Sequence, residues 1–597
     1  MSAPGGRFGR RLDLAVLAGA WAYLFLLHPP PGYLWEEFPW IVYNLLPLPL
    51  SLEGLKAAVR WQATVHTANH VRPVRAIEWW LAAKTLGCSP LAYFVANALA
   101  FGAAVWAATR VAWHVTGRRA LAVFVGACLA VSYATAHSLL FFGFGLTTAV
   151  ALGGLAAYFR SEELEGRGRH ARWVLAFVLL LLGGLAHEIF LAFALVPLAH
   201  AVIVRRRRAA VVGAWPFAAI VPLYVLTGLV MDRVFQAGVS IIPPETAAIR
   251  FPLKVLVEVS ARVGFTVASG GLPFDSLRVV PWVPEFARLR EIAITPGGLA
   301  TAAAVMAPSL ALAGLALAAG AADPPARRRL GFAAAWLAFS SLPLLLPVTA
   351  PDAFHLTGAL PPLFLIWTEA LRARRGRALA AGLVAVVAWL GIHGAARWVL
   401  FHRDLPQMSR SVRALESVLA AAERRGEEAH VLFFPVQIGA HHGFMPTIQA
   451  LYPTVAGRAC AIGARVPGCL VEPVWIWSAL APAPPLPGAC RVADGIRVGP
   501  LTPAVLRELD GSRRMLTSPT AGVGWSTDPA AVRAAGSQLI TGCPLRGVER
   551  VTIGPDAYRL YRTESAPNAR WYRFAFAPGP ALLPVRDCED GKPAGKS

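Results

Sequence analysis

Five groups of ionisable residues stand at the edges of apolar stretches. Glu36 and Glu37 are adjacent carboxylates in the aromatic segment Tyr33–Phe38. His66, His70 and Arg72 follow in HTANHVRPVR. His137 closes one apolar run, His187-Glu188 interrupts another, and Asp352 with His355 opens a late one. Carboxylates and imidazoles exchange protons, and a guanidinium holds oxyanions through paired hydrogen bonds. Such groups are costly beside a bilayer, where they are functional or paired. Each also has an ordinary reading. The glutamates fit a solvated interface, Arg72-Pro73 fits a helix start, and His137, Asp352 and His355 fit packing or capping. His187-Glu188 is the hardest to dismiss, because a carboxylate in a continuous apolar run needs a partner.

The elements around these residues are membrane elements. The chain of 597 residues is 56% hydrophobic and 15% charged, against roughly 25% charged in soluble domains. That excludes a disordered chain, a collagen and an ordinary cytosolic enzyme. About eleven apolar stretches are near the length a bilayer requires: 12–28, 90–115, 119–137, 139–159, 172–187, 188–204, 209–231, 298–320, 330–349, 353–371 and 378–399. The pair 172–187 and 188–204 reads as a tight hairpin at His187-Glu188 or as one broken helix. The formal charge is +22, and Arg residues cluster near Arg7, Arg118-Arg119, Arg160 to Arg172, Arg205–Arg208, Arg327–Arg329 and Arg372 to Arg377. Eleven spans and a cytoplasmic N-terminus put every cluster on the cytoplasmic side, as Lys/Arg bias requires. The charge is therefore no nucleic-acid signal. The same topology puts loops 29–89 and 232–297, and all five ionisable groups, on the outer face. Within 232–297, Lys254, Glu258 and Arg262 share one helix face. They mark 251–268 as an interfacial helix, or else as a twelfth span.

The texture changes near Met408. Residues 1–405 read as the membrane domain and 406–597 as a soluble, mixed α and β exoplasmic domain. An amphipathic helix is expected over Ser411–Arg424, a strand at His430–Pro435, and a hairpin of Val548–Ile553 with Tyr558–Tyr561 around Gly554-Pro555-Asp556. Cys88 and Cys128 read as core residues. Cys460, Cys469, Cys490, Cys543 and Cys588 allow one or two disulfides if this part is exported. His441-His442 fits a strand-end ligand site or a plain surface pair. Trp475 and Trp477 fit sugar stacking or a core.

Taken in order, these segments resemble the GT-C superfamily of membrane glycosyltransferases, nearest to the protein O-mannosyltransferase-like and transmembrane O-mannosyltransferase branch. The resemblance rests on the acidic pair after span one, His-Val-Arg-Pro-Val, the helix break Leu-Gly-Cys-Ser-Pro-Leu-Ala-Tyr-Phe-Val-Ala-Asn-Ala-Leu, Leu-Ala-His-Glu-Ile-Phe before an apolar run to Val-Pro-Leu, and Ala-Phe-His-Leu-Thr-Gly-Ala-Leu-Pro. It covers about 30–205 and, more weakly, 350–371. Glu36-Glu37 stand where Asp is usual, His187 where Lys is usual, and no tetratricopeptide repeats follow. The resemblance implies a polyprenyl-phosphate sugar donor and inverting transfer on the outer face to an envelope glycan, lipid or protein. Glu36 or Glu37 would be the base. Arg72, His70, His187 and His355 would meet the leaving phosphate, supported by Glu188, His137 and Asp352. This chemistry requires no metal or other cofactor, although a divalent metal is compatible with it. Beyond donor and acceptor, the expected partner is membrane lipid, with no nucleic acid. An Ala/Arg/Gly/Pro-rich, Lys-poor composition points to a GC-rich bacterium, and so to an inner membrane with a periplasmic outer face. Two other readings fit the sequence: a transporter or flippase, and a non-catalytic platform for the C-terminal domain.

Overall fold

The computed structural model describes residues 7–26, 41, 45–63, 72–87, 89–235, 263–272, 296–341, 356–372, 376–398, 401–402, 429–433, 460–461, 465–466, 469–470, 489–501, 545–563, 570–575 and 581–588. The chain divides into two compact units. One comprises Met1–Pro30, Leu48–Val283 and Arg288–Phe401, and the other Pro31–Pro47, Pro284–Ala287 and His402–Ser597.

The described part of the first unit is helical. Its elements are α1 (Arg7–Leu26), α2 (Leu52–Trp61), α3 (Pro73–Leu86), α4 (Pro90–Thr116), α5 (Arg119–Val131), α6 (Tyr133–Ser138), α7 (Phe144–Ser161), α8 (Gly166–Ala186), α9 (Glu188–Arg205), α10 (Arg208–Phe235), α11 (Pro296–Ala322), α12 (Pro324–Ser341), α13 (Leu360–Arg372) and α14 (Arg377–Trp398). Among the described residues, 6 helices are long and apolar enough to cross a bilayer: Leu91–Thr116, Gly166–Ala186, Glu188–Arg205, Arg208–Phe235, Ala300–Ala322 and Arg377–Trp398. Leu226, Leu229, Val230 and Val234 on α10, and Leu383, Val384 and Val387 on α14, are exposed. On a soluble protein such apolar patches would drive association; here they suit lipid tails. The protein is a polytopic helical membrane protein.

Local chemistry explains the boundaries that matter for the site. Pro73 opens α3, and Gly87 ends it at a φ of 59°. Ser89 caps α4 through a bond from the Ala92 N–H, and Pro90 takes its first position. Gly117 ends α4 in the left-handed region. The sequence suggests two uninterrupted spans, 119–137 and 139–159. Instead α5 stops at Val131, Ser132 caps the short α6, and α7 begins at Phe144 after Gly143. Asn97 on α4 causes this: its amide donates to the carbonyls of Ser138, Leu139 and Phe141, and its carbonyl accepts from the Gly145 N–H. The turn is apolar in sequence but is held by polar side chains from α3 and α4, the buried Asn97 amide foremost.

The α8–α9 junction settles the broken-run question. α8 ends at Ala186, His187 is extended at φ −159°, ψ 127°, and the chain doubles back, so that a Cβ on Gly184 would meet Leu191 at 2.6 Å. α9 starts as an eight-residue 3₁₀ segment, Glu188–Leu195, and ends as a π segment, Ala201–Arg205.

The basic clusters converge at one end of this unit. Arg329 donates twice to Glu369 at 2.8 Å, Arg372 reaches the same carboxylate at 3.2 Å, and its Nη2 donates to the Thr116 carbonyl at 2.7 Å. Arg205 and Arg169 both face Glu162. α7 runs from this end to the Phe144 end, a span of about 27 Å at 1.5 Å per residue. Of the 251–268 segment, 251–262 lie outside the described residues. Residues 263–268 are helical, and Ser269 accepts a contact from His393 at 3.2 Å.

In the second unit, β1 (Ala429–Phe433), β2 (Cys460–Ala461), β3 (Arg465–Val466), β4 (Cys469–Leu470), β5 (Ala489–Val492), β6 (Gly495–Leu501), β7 (Leu545–Ile553), β8 (Asp556–Thr563), β9 (Arg570–Ala575) and β10 (Ala581–Pro584) form three sheets. Their orders are β10-β9-β1-β2, β3-β4 and β5-β6-β8-β7. β7 and β8 pair antiparallel across Gly554-Pro555, with Gly554 at a φ of 60°. Cys490 and Cys588 form a disulfide 98 residues apart in sequence. Residues 411–424, His441, His442, Trp475 and Trp477 lie outside the described residues.

Candidate functional site

Arg72 is the residue before α3, and its carbonyl accepts from the Ala76 N–H. Glu188 is the first residue of α9. They lie 116 residues apart in sequence, yet the Arg72 guanidinium grips the Glu188 carboxylate with Nε at 2.7 Å and Nη2 at 2.5 Å. The charge in the apolar run therefore has its partner. Both side chains are partly covered, at 15% and 24% exposure, so the pair is screened less than a surface ion pair. His187 is buried beside it. Its Nδ1 accepts from the Ile189 N–H at 3.4 Å and lies 3.6 Å from Glu188 Oε2.

A second charged pair lies one turn along α3. Arg75 is 3.9 Å from Glu78, donates to the Phe142 carbonyl at 3.1 Å, and places its guanidinium 4.7 Å from the Phe144 ring. Trp79 donates to the same carbonyl. Phe144 in turn is 5.0 Å from the His187 ring. Contacts thus run without a break from Glu78 through Arg75 and Phe144 to His187, Glu188 and Arg72. α3 is not among the bilayer-length helices. Burial pushes the Glu78 carboxyl up to about 7, against the opposing pull of the Arg75 charge.

Arg75, Glu78, Asn97 and Gly143 are not among the site residues expected from the sequence. A signal was present: Arg-x-x-Glu spacing ahead of Trp79-Trp80 places two charges on one helix face in an otherwise apolar segment. Gly143 in Phe-Phe-Gly-Phe-Gly gave no such signal, because its role depends on the distant Arg75.

Of the other expected site residues, His137 stacks on Tyr133 at 5.9 Å and approaches Phe141 at 5.1 Å. Among the described residues, the Phe141–Phe144 contact at 6.5 Å links it to the cluster. Glu36, Glu37, His66, His70, Asp352 and His355 lie outside the described residues. Gly358 packs against Phe190 and Phe193 of α9. Among the described residues, no three His, Cys, Asp or Glu side chains gather as metal ligands would.

The chain matches no protein-family model and no curated protein. Among solved structures it is similar to the archaeal oligosaccharyltransferase AglB from Archaeoglobus fulgidus, determined with an inhibitory peptide and a dolichol-phosphate. The TM-score is 0.42 at 13% identity, covering 74% of this chain and 64% of that one. The chain thus spans less than two thirds of AglB's length, and a likeness this distant carries no argument about activity.

Chemically, the described cluster is a guanidinium clamp with a buried imidazole beside it. A bidentate Arg–carboxylate pair has the geometry of an Arg–phosphate pair. The phosphate of a lipid-linked sugar could take the place Glu188 now holds on Arg72, with Glu188 remaining to meet a donor hydroxyl.

Proposed function

We propose that the protein is a GT-C-type glycosyltransferase that moves a sugar from a polyprenyl phosphate to an envelope glycan, lipid or protein on the outer face of a bacterial inner membrane. The observation that carries this reading is the meeting of Arg72 and Glu188. They come from the Arg-Pro and His-Glu segments on which the sequence resemblance rests, and together with His187 they make an anion-binding geometry.

The reaction is an inverting displacement. The acceptor oxygen bonds to the anomeric carbon while the bond from that carbon to the phosphate oxygen breaks, and the electron pair leaves with the phosphate. The acceptor proton passes to Glu36 or Glu37, with Glu37 preferred for its place beside Phe38. Arg72 meets the growing phosphate charge, and His70, His187 and His355 add donors. Glu188 orients Arg72, with His137 and Asp352 in support. Arg and His meet the phosphate charge without a metal. The unit from His402 onward binds acceptor or a partner in the periplasm.

Purified protein supplied with a polyprenyl-phosphate sugar and an envelope extract should release the polyprenyl phosphate and label an acceptor. The Glu36→Gln/Glu37→Gln variant should do neither, and full turnover by that variant ends the assignment. Ion or lipid flux through proteoliposomes without sugar transfer would favour the transporter reading.

A further inference from the structure

We infer that the arginine-rich rim shared by α8 and α10 is a binding site for an anionic phospholipid, separate from the Arg72–Glu188 clamp and independent of the function proposed above. Two stretches of chain meet at this rim. Arg169 in the first turn of α8 and Arg205 at the end of α9 face one carboxylate, Glu162, at 3.6 and 3.5 Å. Trp173 on α8 donates to the Gly213 carbonyl on α10 at 2.9 Å and packs 5.0 Å from Phe217. The start of α8 and the turn from α9 into α10 are thus held side by side, and their basic residues form one surface.

The charge on that surface is not neutralised by the chain itself. From Arg160 to Arg172 and across Arg205–Arg208 there are eight arginines, no lysine and three glutamates. Glu162 is shared as above, and Glu163 is taken by Arg160 and His114, each at 2.6 Å. Arg167, Arg172, Arg206, Arg207 and Arg208 are exposed, and among the described residues none of them forms an ion pair. Other arginines at the same end behave differently. Arg329 and Arg372 are bonded to the buried Glu369, and Arg327 donates to the Gly320 and Ala321 carbonyls at the end of α11. Their charge is met at home, whereas the α8–α10 rim offers its charge to an anion from outside.

The rim borders an apolar seam. Past Arg172, Val174, Leu175 and Val178 on α8 are exposed; past Arg208, Val212 and Trp215 on α10 are exposed as well. Trp215 stands about 10 Å along α10 from Arg208, and an indole so placed suits the boundary between headgroups and tails. A soluble acidic protein or a nucleic acid would meet the arginines and leave the seam uncovered. A phospholipid matches both parts. Its phosphate takes paired hydrogen bonds from guanidinium groups, and its acyl chains lie along α8 and α10. A net negative headgroup answers the excess of arginine, whereas a zwitterionic one carries its own cation beside the phosphate and gains less.

The test is thermal unfolding of the full chain in neutral detergent with added phosphatidylglycerol, phosphatidylcholine or inorganic phosphate. It is paired with photocrosslinking of the wild type by a phosphatidylglycerol that carries a diazirine in its acyl chain. Phosphatidylglycerol should raise the unfolding midpoint by several degrees, the other two by much less, and added salt should shrink the difference. Arg206→Gln/Arg207→Gln/Arg208→Gln should lose most of that shift, and Arg206→Lys/Arg207→Lys/Arg208→Lys should recover part of it. Arg328→Gln/Arg377→Gln removes exposed charge from α12 and α14 and should keep the shift. Wild-type crosslinks should map to 173–182 and 211–223, a result that does not depend on any variant folding. Equal shifts from the two phospholipids, an undiminished shift in the triple glutamine variant, an equal loss in Arg328→Gln/Arg377→Gln, or crosslinks confined to other helices each overturn the inference. A shift from inorganic phosphate as large as that from phosphatidylglycerol also overturns it, by assigning the rim to a free anion.

Discussion

Replacing Glu78 by glutamine should stabilise the protein at alkaline pH and leave it unchanged under acid conditions. Glu78 is nine-tenths covered, and burial raises its carboxyl from 4.5 to about 7. That shift is already net of the Arg75 charge, which acts the other way. The folded state therefore holds a proton between pH 4.5 and about 7 that the unfolded chain has released. Stability falls with rising pH wherever the folded state binds more protons, so the penalty grows through this window and is complete above it. At 1.36 kcal/mol per unit, the shift corresponds to about 3 kcal/mol. Glutamine mimics the neutral acid and escapes the penalty. Thermal unfolding in detergent, followed by tryptophan fluorescence, should show coincident transitions near pH 5 and a higher midpoint for Glu78→Gln near pH 8. A variant less stable than wild type at pH 8, or an equal difference at both pH values, would refute the reasoning.

Three further outcomes follow from the same contacts. A double-mutant cycle on Arg72→Met and Glu188→Gln should give a coupling of about 1–3 kcal/mol in unfolding free energy, the lower range reflecting partial exposure; additivity would mean that the clamp does not form. Asn97→Ala should cost about 2–4 kcal/mol, since three carbonyls and one N–H each lose one bond, although Ser138 and Phe141 keep a backbone donor, and amide exchange should accelerate over 138–145. Non-reducing peptide mapping should recover Cys490 and Cys588 in one linked species, and recovery of both as free thiols would contradict the pairing.

Sequence legibility follows the range of the interaction. Apolar length fixes bilayer-scale helices, so α4, α8, α9, α10, α11 and α14 appear where hydropathy places them. Serine-proline and glycine chemistry is local, so the break at Ser89-Pro90 and the β7–β8 turn at Gly554-Pro555 are visible in the chain. His187-Glu188 is conspicuous because an ionisable residue in an apolar run demands an explanation. Its partner was among the candidates, but the direct bond to Arg72 was not readable, since it depends on how α3 and α9 pack. α2 went unseen because it is short and only moderately apolar. The turn from Leu139 to Gly143 was invisible for the opposite reason: its residues are as apolar as a span, and the Asn97 side chain that folds it lies over 40 residues away. The 3₁₀ and π character of α9 leaves no mark in hydropathy, because both windings keep the same residues apolar.

The central claim is that the Arg72 end of the first unit receives a lipid phosphate, and the molecule offers a rival site in its opposite, arginine-rich end. Cryo-electron microscopy of the full chain in nanodiscs with a polyprenyl phosphate tests this most directly. Phosphate density within hydrogen-bond reach of Arg72, with Glu188 drawn away from it, is the expected result. Density seated instead among Arg205, Arg329 and Arg372, with the Arg72–Glu188 pair intact, would contradict the account.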